Sequence, residues 1–420
     1  MRVRFFSGKI AFVSILGLLL VASAAGQQPR KGSLLNGLKV LMFPDTSSDK
    51  VWARIRVHSG SAFDPQGREG LMKMLTSNVF PNEAAREYFS DDLGGSLDIR
   101  TTYDYIEIDA SAKPENLIPM LETLAGAIAN PVIDKDTTSK LRDAMLSRVK
   151  QRESDPAYVA DAAASKRLFG TFPYGRPIDG TEGSIKNIDF ADVLDAKNRF
   201  LSADNATLAL SGNFSSSRAL QATKRFFGAW QRSDKRVPAT FRQPDDPPAG
   251  VFNVSSPVAD RFEVRIAFRG TSRSAADMAA ADIYARILEA RFKARGPAAL
   301  ASGVAVTSEA YLLPGQMVIR YSGTKNDVGA NNGQVEINEI VPKALVDAVT
   351  DAEFSAAKTA AAGDWAKRSI EYYWLDADTY GTDVQTDRNA FATVTAAKVR
   401  DFAAWVARQP SVTVLVSSPK

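Results

Sequence analysis

The chain of 420 residues holds one histidine, His58, and no cysteine. Catalytic zinc is ordinarily held by imidazole or thiolate, with a carboxylate as an occasional further ligand. This chain therefore cannot build a histidine-based zinc centre by itself. His58 falls on the polar face of a strand and reads as an ordinary strand residue, not a metal ligand. Asp91-Asp92 and Asp245-Asp246 are adjacent acids in turn-like and linker contexts. Acids there cap and solvate, and an all-carboxylate zinc site is unusual. Serines are plentiful, but no histidine base accompanies them. Ser–Lys pairs arise too easily in any sequence to mark a nucleophile.

The elements that would position such residues come in two matching sets. Leu38 to Phe43 is a short apolar strand after the Asn36-Gly37 turn. Val51, Ala53, Ile55 and Val57 then alternate with Trp52, Arg54, Arg56 and His58, the pattern of a half-buried strand, and a helix begins near Gly70. Further on, Val251 to Val254 is a short strand. Phe262, Val264, Ile266 and Phe268 alternate with Glu263, Arg265, Ala267 and Arg269, and an Ala-rich helix follows from about Ala275 to Phe292. The ends match too. An amphipathic helix at Phe190 to Phe200 leads to a strand at Ala206 to Leu210, and one at Thr395 to Val406 leads to a strand at Ser411 to Val416. Prolines 238, 244, 247 and 248 mark a linker. The expected fold is α+β, with two duplicated domains, each a mixed, largely antiparallel sheet packed with helices. The expected boundaries are 33–235 and 251–420, joined by 236–250.

Bulk properties agree with two domains of about 200 residues each. Apolar residues make up 45% and charged residues 24%, which excludes wholesale disorder. Lys+Arg is 52 against 48 for Asp+Glu, with no dense basic run beyond the first residues, so nucleic acid is not an expected partner. Arg2, Arg4 and Lys9 precede an apolar run, Ile10 to Val21, and the small residues Ala22-Ser23-Ala24. This is the pattern of a signal peptide, residues 1–24. The run is short of the roughly 20 residues that span a bilayer, so no transmembrane anchor is expected after cleavage. Export to a bacterial periplasm is expected, and with no cysteine the fold depends on its core instead of disulfides.

A series of short motifs runs through the first half. Gly60-Ser61 leads through Asp64-Pro65, Gly67 and Glu69-Gly70-Leu71 into a helix. Leu93-Gly94-Gly95-Ser96-Leu97, Asn130-Pro131, and Pro173-Tyr174-Gly175-Arg176-Pro177-Ile178-Asp179-Gly180-Thr181-Glu182 with Ser184-Ile185 follow in order. This order and spacing resemble the insulinase/pitrilysin-type zinc metallopeptidases, in their short-chain, mitochondrial-processing-peptidase-like branch, from about residue 33 to the C-terminus. In that family the helix after Gly-Leu carries His-x-x-Glu-His. Residues i and i+4 share a helical face, so two imidazoles can meet one zinc, and the glutamate is the general base.

The resemblance places Lys73 and Ser77 at the two histidine positions and Thr76 at the base. Ser147 falls at the downstream glutamate, counted back from Glu153-Ser154-Asp155-Pro156. All four are replaced, and an ammonium offers donors but no lone pair to a metal. The resemblance thus implies a non-catalytic homologue with no cofactor of its own. Zinc is expected only in a partner subunit, an active family member with which this chain forms a hetero-oligomer that encloses extended peptides. A stand-alone peptide-binding or scaffold protein of the cell envelope is the alternative, and a metalloendopeptidase active only as a complex is a further one. Arg291 matches a substrate-stabilising arginine of the family, while its tyrosine position falls at Ala305. Tyr105, Ile106 and Glu107 lie in the paired strands of Ser96 to Asp109, which match the family's peptide-pairing strand, so they are candidates for backbone recognition of substrate.

Overall fold

The computed structural model describes residues 28–233, 241–242, 244–248, 250–296, 298–324, 327 and 336–417. The expected signal peptide lies outside them, as do residues 236–240, 243 and 249 of the expected linker. Eleven strands are assigned: β1 (Arg30–Ser33), β2 (Lys39–Pro44), β3 (Val51–Val57), β4 (Ser96–Thr101), β5 (Ile106–Ala112), β6 (Ala206–Gly212), β7 (Gly250–Ser255), β8 (Arg261–Arg269), β9 (Val304–Glu309), β10 (Gln316–Thr324) and β11 (Ser411–Ser417). The longer helices are α1 (Leu71–Val79), α2 (Leu117–Ala129), α3 (Lys135–Glu153), α4 (Pro156–Phe169), α5 (Phe190–Phe200), α6 (Ser216–Phe227), α7 (Met278–Arg295), α8 (Asp351–Ala366), α9 (Ile370–Tyr380) and α10 (Ala396–Val406).

The duplication is visible in the strand order. The first sheet runs β1-β2-β6-β3-β5-β4 and the second β7-β11-β8-β10-β9. Without β1, the two orders correspond strand for strand. The senses also correspond: β2 is parallel to β6 as β7 is to β11, and the remaining neighbours are antiparallel. The fold is α+β, two mixed sheets with helices.

One face of each sheet meets helices of its own half. Val51, Ala53, Ile55 and Val57 pack with Met72, Leu75, Leu121 and Leu124, and are fully buried. Phe262, Val264, Ile266 and Phe268 pack with Ile283, Ile287, Leu288 and Phe402.

The opposite faces do not meet solvent as simple alternation implies. They are covered by exchange. Helix α4 of the first half lies on β8 and β11, with Ala160, Ala164 and Leu168 against Ala267, Val412 and Val414. Helix α9 of the second half lies on β6, with Leu375 against Leu41, Phe43 and Ala209. The reading of β3 and β8 as half-buried strands is thus corrected. Arg54, Arg56, Glu263 and Arg265 are buried because a helix from the other half caps each sheet.

Candidate functional site

Helix α1 begins where backbone packing fixes its direction. Gly70 precedes it with φ +96°, and a Cβ there would sit 3.0 Å from the Asp179 carbonyl oxygen. Gly180, at φ +79°, faces the Glu69 carbonyl oxygen so closely that a Cβ would lie 2.3 Å from it. Both positions need glycine. The Asp64 carboxyl accepts from the Gly70 and Met72 N–H groups, each at 2.8 Å, and so satisfies the first turn. Burial raises its pKa to about 7 despite these donors. Arg176 donates to the Asp64 carbonyl at 2.8 Å, and the Ser184 hydroxyl to the Glu69 carbonyl at 2.9 Å. The 173–185 motif, which local turn chemistry alone does not explain, therefore holds the start of α1 in place.

Along α1, Lys73 and Ser77 share one face, and α3 packs beside them carrying Ser147. The side chains are not arranged for a metal. The Ser77 hydroxyl donates to the Lys73 carbonyl at 3.0 Å. Thr76 is buried, donates to the Met72 carbonyl at 2.7 Å and accepts from the Thr101 hydroxyl of β4 at 2.8 Å. Ser147 is exposed on α3. The Lys73 pKa is lowered, chiefly by burial and further by Arg148 and Arg152, while Asp179 and Asp98 oppose the shift. An ammonium, two engaged hydroxyls and an exposed serine do not fit zinc. Among the described residues no group of three or more His, Asp or Glu side chains is placed to hold a metal ion.

Next to this corner a cavity of about 260 Å3 runs between the halves. Arg152 and Asp179, an ion pair, line it on one side, with Tyr158; Glu309, Tyr311 and Arg320 line it on the other. Two of its lining residues, Tyr103 and Tyr311, belong to an aromatic cluster with Tyr174. Tyr103, Tyr174 and Tyr311 have ring centroids 4.7–5.1 Å apart. The Tyr174 hydroxyl donates to Asp104 at 3.0 Å and accepts from the Leu313 N–H at 3.0 Å. Asp104 also accepts from the Leu312 N–H at 2.9 Å, and burial raises its pKa to about 6. Tyr174 and Asp104 thus bolt the two halves together. The motif containing Tyr174 was conspicuous in the sequence, but nothing there signalled Asp104 or Tyr311 as its partners.

A second junction lies under α9. Arg56 donates to Glu107 at 2.8 and 2.5 Å and to Asp376 at 2.7 Å. Arg54 bonds Glu371 at 2.6 Å and Asp109 at 3.1 Å. Arg273 bridges Asp376 and Asp387, and Arg368 also reaches Asp376. His58 joins the same junction, its ring nitrogens against the hydroxyls of Thr379 at 3.1 Å and Thr207 at 3.0 Å.

These contacts correct the candidate substrate-binding residues. Glu107 is 1% exposed and is paired with Arg56 and Arg100. Ile106 and Glu107 sit in β5, whose backbone is paired with β3 on one side and β4 on the other, so no peptide can add there. Tyr105 closes the β4–β5 turn, its N–H bonded to the Thr102 hydroxyl, and its ring lies under the Arg56 guanidinium. The outer strand of this sheet is β4. Arg291 is buried and makes five hydrogen bonds: two to Glu353 and three to the carbonyls of Ala344, Asp347 and Ala348. A guanidinium has five N–H donors, so none remains for a substrate. Its role is to tie α7 to the start of α8, and its bonds hold the Glu353 carboxyl down at about 2.

Comparison with known proteins places this geometry. The family described as "Insulinase (Peptidase family M16)" matches residues 39–182, and "Peptidase M16 inactive domain" matches residues 187–361. An uncharacterized zinc protease of Bacillus subtilis, YmxG, is 21% identical over 205 residues, 48% of this chain and 50% of the relative. The mitochondrial-processing peptidase β subunit of Saccharomyces cerevisiae is 23% identical over 228 residues, 52% of this chain and 49% of the relative. These matches span about half the length of the curated relatives. A crystal structure of a peptidase M16 inactive domain from Pseudomonas fluorescens aligns with a TM-score of 0.79 at 19% identity, covering 94% of this chain and 98% of that one.

Proposed function

The chain belongs to the insulinase family, peptidase family M16, and from that premise we propose that it does not cut peptides but holds them, as the partner subunit of a zinc-bearing relative. One observation carries this reading. The framework that aims α1 and α3 at each other is intact, yet Lys73, Thr76, Ser77 and Ser147 stand where the resemblance puts two ligands, the base and the third ligand. A frame kept without its chemistry supports binding over hydrolysis.

The surface for holding peptide is the outer edge of β4, which pairs an extended chain through backbone groups and needs no metal. The partner supplies the zinc, and the two chains together enclose the substrate. Export to the periplasm rests on the residues at 1–24. No helix among the described residues is long and apolar enough to cross a membrane.

Reconstitution with a co-encoded relative that carries His-x-x-Glu-His tests this. Cleavage of unfolded peptides is measured with each chain alone and with both. The expected result is no chelator-sensitive cleavage from this chain alone and an increase over the relative alone when both are present. A stable monomer that never co-purifies with such a relative would defeat the pairing.

A further inference from the structure

The corner between α1 and α3 has changed charge. Lys73 is half-buried, and among the described residues its ammonium makes no hydrogen bond or ion pair. Arg148, on the neighbouring exposed turn of α3, likewise has no ion-pair partner among them. Arg152 is neutralised by Asp179. Asp179 and Asp98 act on Lys73 from a distance, but against Lys73, Arg148 and Arg152 these two carboxylates leave the corner net positive at a partly desolvated place, where an anion gains more than it would in bulk water.

The approach to that corner is a strand edge. β4 is the last strand of its sheet and is joined to α1 through the Thr101–Thr76 hydroxyl pair. Its counterpart in the second sheet, β9, is obstructed, because the Val306 N–H is bonded to the Glu289 carboxylate at 3.1 Å. No such plug occupies the β4 edge among the described residues. The cavity beside the corner, about 260 Å3, is below the roughly 300 Å3 at which pockets for drug-sized ligands begin. It suits the last side chain or two of a peptide.

We infer that this corner receives the C-terminal carboxylate of a peptide laid along β4, with Lys73 and Arg148 as its counter-ions. The inference rests on the peptide-holding reading above and adds the end of the chain that is recognised. Charge complementarity selects the occupant: an extended peptide brings one backbone anion, and it is at the C-terminus. Ser77 contributes no donor, since its hydroxyl is already given to the Lys73 carbonyl. Where a zinc-bearing relative needs a peptide to run through the site, this chain would have it end there.

The test is fluorescence anisotropy with an N-terminally labelled, Ala/Val-rich pentapeptide, as the free acid and as the C-terminal amide, on the full chain. The acid should bind at least about tenfold more tightly than the amide, as expected for a charge-assisted contact. Lys73→Met should remove most of that difference and Arg148→Gln part of it. The exposed Arg148 position cannot compromise folding, and circular dichroism checks Lys73→Met. Equal binding of acid and amide, or a difference that survives both substitutions, overturns the carboxylate receptor and leaves peptide holding intact. Absence of binding for both peptides defeats the holding reading and this inference together.

Discussion

Replacing Arg56 with Met tests whether the junction under α9 is a dry, structural ion network. Met keeps much of the aliphatic stem and removes the charge. Arg56 and Glu107 are each 1% exposed, and four hydrogen bonds disappear: two to Glu107, one to Asp376 and a long one, 3.5 Å, to the Thr379 hydroxyl. Breaking a buried pair by removing one partner costs about 3–5 kcal/mol, because a charge is left behind. Here the acids keep other partners. Glu107 retains Arg100, and Asp376 retains Arg273 at 3.0 Å and Arg368 at 2.7 Å. The lower end, about 3 kcal/mol, is therefore expected. The assay is urea unfolding followed by circular dichroism and by tryptophan fluorescence. The exchanged helices α4 and α9 make each half part of the other's core, so both probes should report one transition, shifted down in the variant. The control is Arg86→Ala, which breaks an exposed Arg86–Glu83 pair at 2.9 Å and should cost under about 0.5 kcal/mol. If Arg56→Met costs no more than that control, water reaches the network and the buried-charge argument is wrong.

Four further outcomes follow from the same geometry. Tyr174→Phe removes the hydroxyl between Asp104 and the Leu313 N–H, leaves two buried polar groups short of a partner, and should lower stability by about 1–3 kcal/mol in the same urea assay. Asp104, raised to about 6 mainly by burial, binds its proton more tightly folded than unfolded, where the pKa is about 3.9. Its stabilisation is full below about pH 4 and is lost as pH rises through about 6, so Asp104→Asn should flatten the fall of the urea midpoint across that window. Lys73 is shifted the other way, so the unfolded chain holds that proton more tightly; stability should rise with pH below the ordinary lysine pKa, and Lys73→Met should abolish that slope without lowering stability at neutral pH. Metal analysis of the purified chain after dialysis against zinc should find no stoichiometric ion, whereas the combined Lys73→His, Thr76→Glu, Ser77→His and Ser147→Glu variant should retain zinc if α1 and α3 still present the family's geometry.

Much of the fold was legible because each half repeats the same local signals. The alternation at Val51–Val57 and Phe262–Phe268, and the capped helices before β6 and β11, need only neighbouring residues to be read. The helix at Phe190–Phe200 begins on Asp189, whose side chain accepts from the Asp192 N–H at 2.9 Å, a local cap that fixes its boundary. What alternation cannot show is what covers the polar side of a strand. Arg54 and Arg56 read as solvent-facing because their partners are distant in sequence: Glu371 and Asp376 lie 317 and 320 residues from them. The same reason misplaced Arg291, whose acceptors Ala344 to Glu353 lie on the far side of a β-hairpin. It also misassigned Glu107, since a hairpin pattern does not reveal which of its two strands ends up at the edge. Only the family resemblance singles out Lys73, Thr76, Ser77 and Ser147, because a lysine and a serine four residues apart on a helix carry no signal of their own.

The exchange of helices also bears on why the framework outlives its chemistry. Helix α4 follows directly on α3, and α3 packs on α1, so the elements that form the corner where the resemblance puts a metal are continuous with the helix that covers the second sheet. The loop that aims α1 through Arg176 and Ser184 also carries Tyr174, which fastens the halves together. Substitution of Lys73, Thr76, Ser77 or Ser147 touches none of these supports, whereas distortion of α1 or α3 would loosen both cores. Selection for the fold alone is thus enough to hold the corner in its original shape. A corner kept in shape in that way, with a lysine where the resemblance puts a metal ligand, is free to acquire a ligand of opposite charge without disturbing these supports.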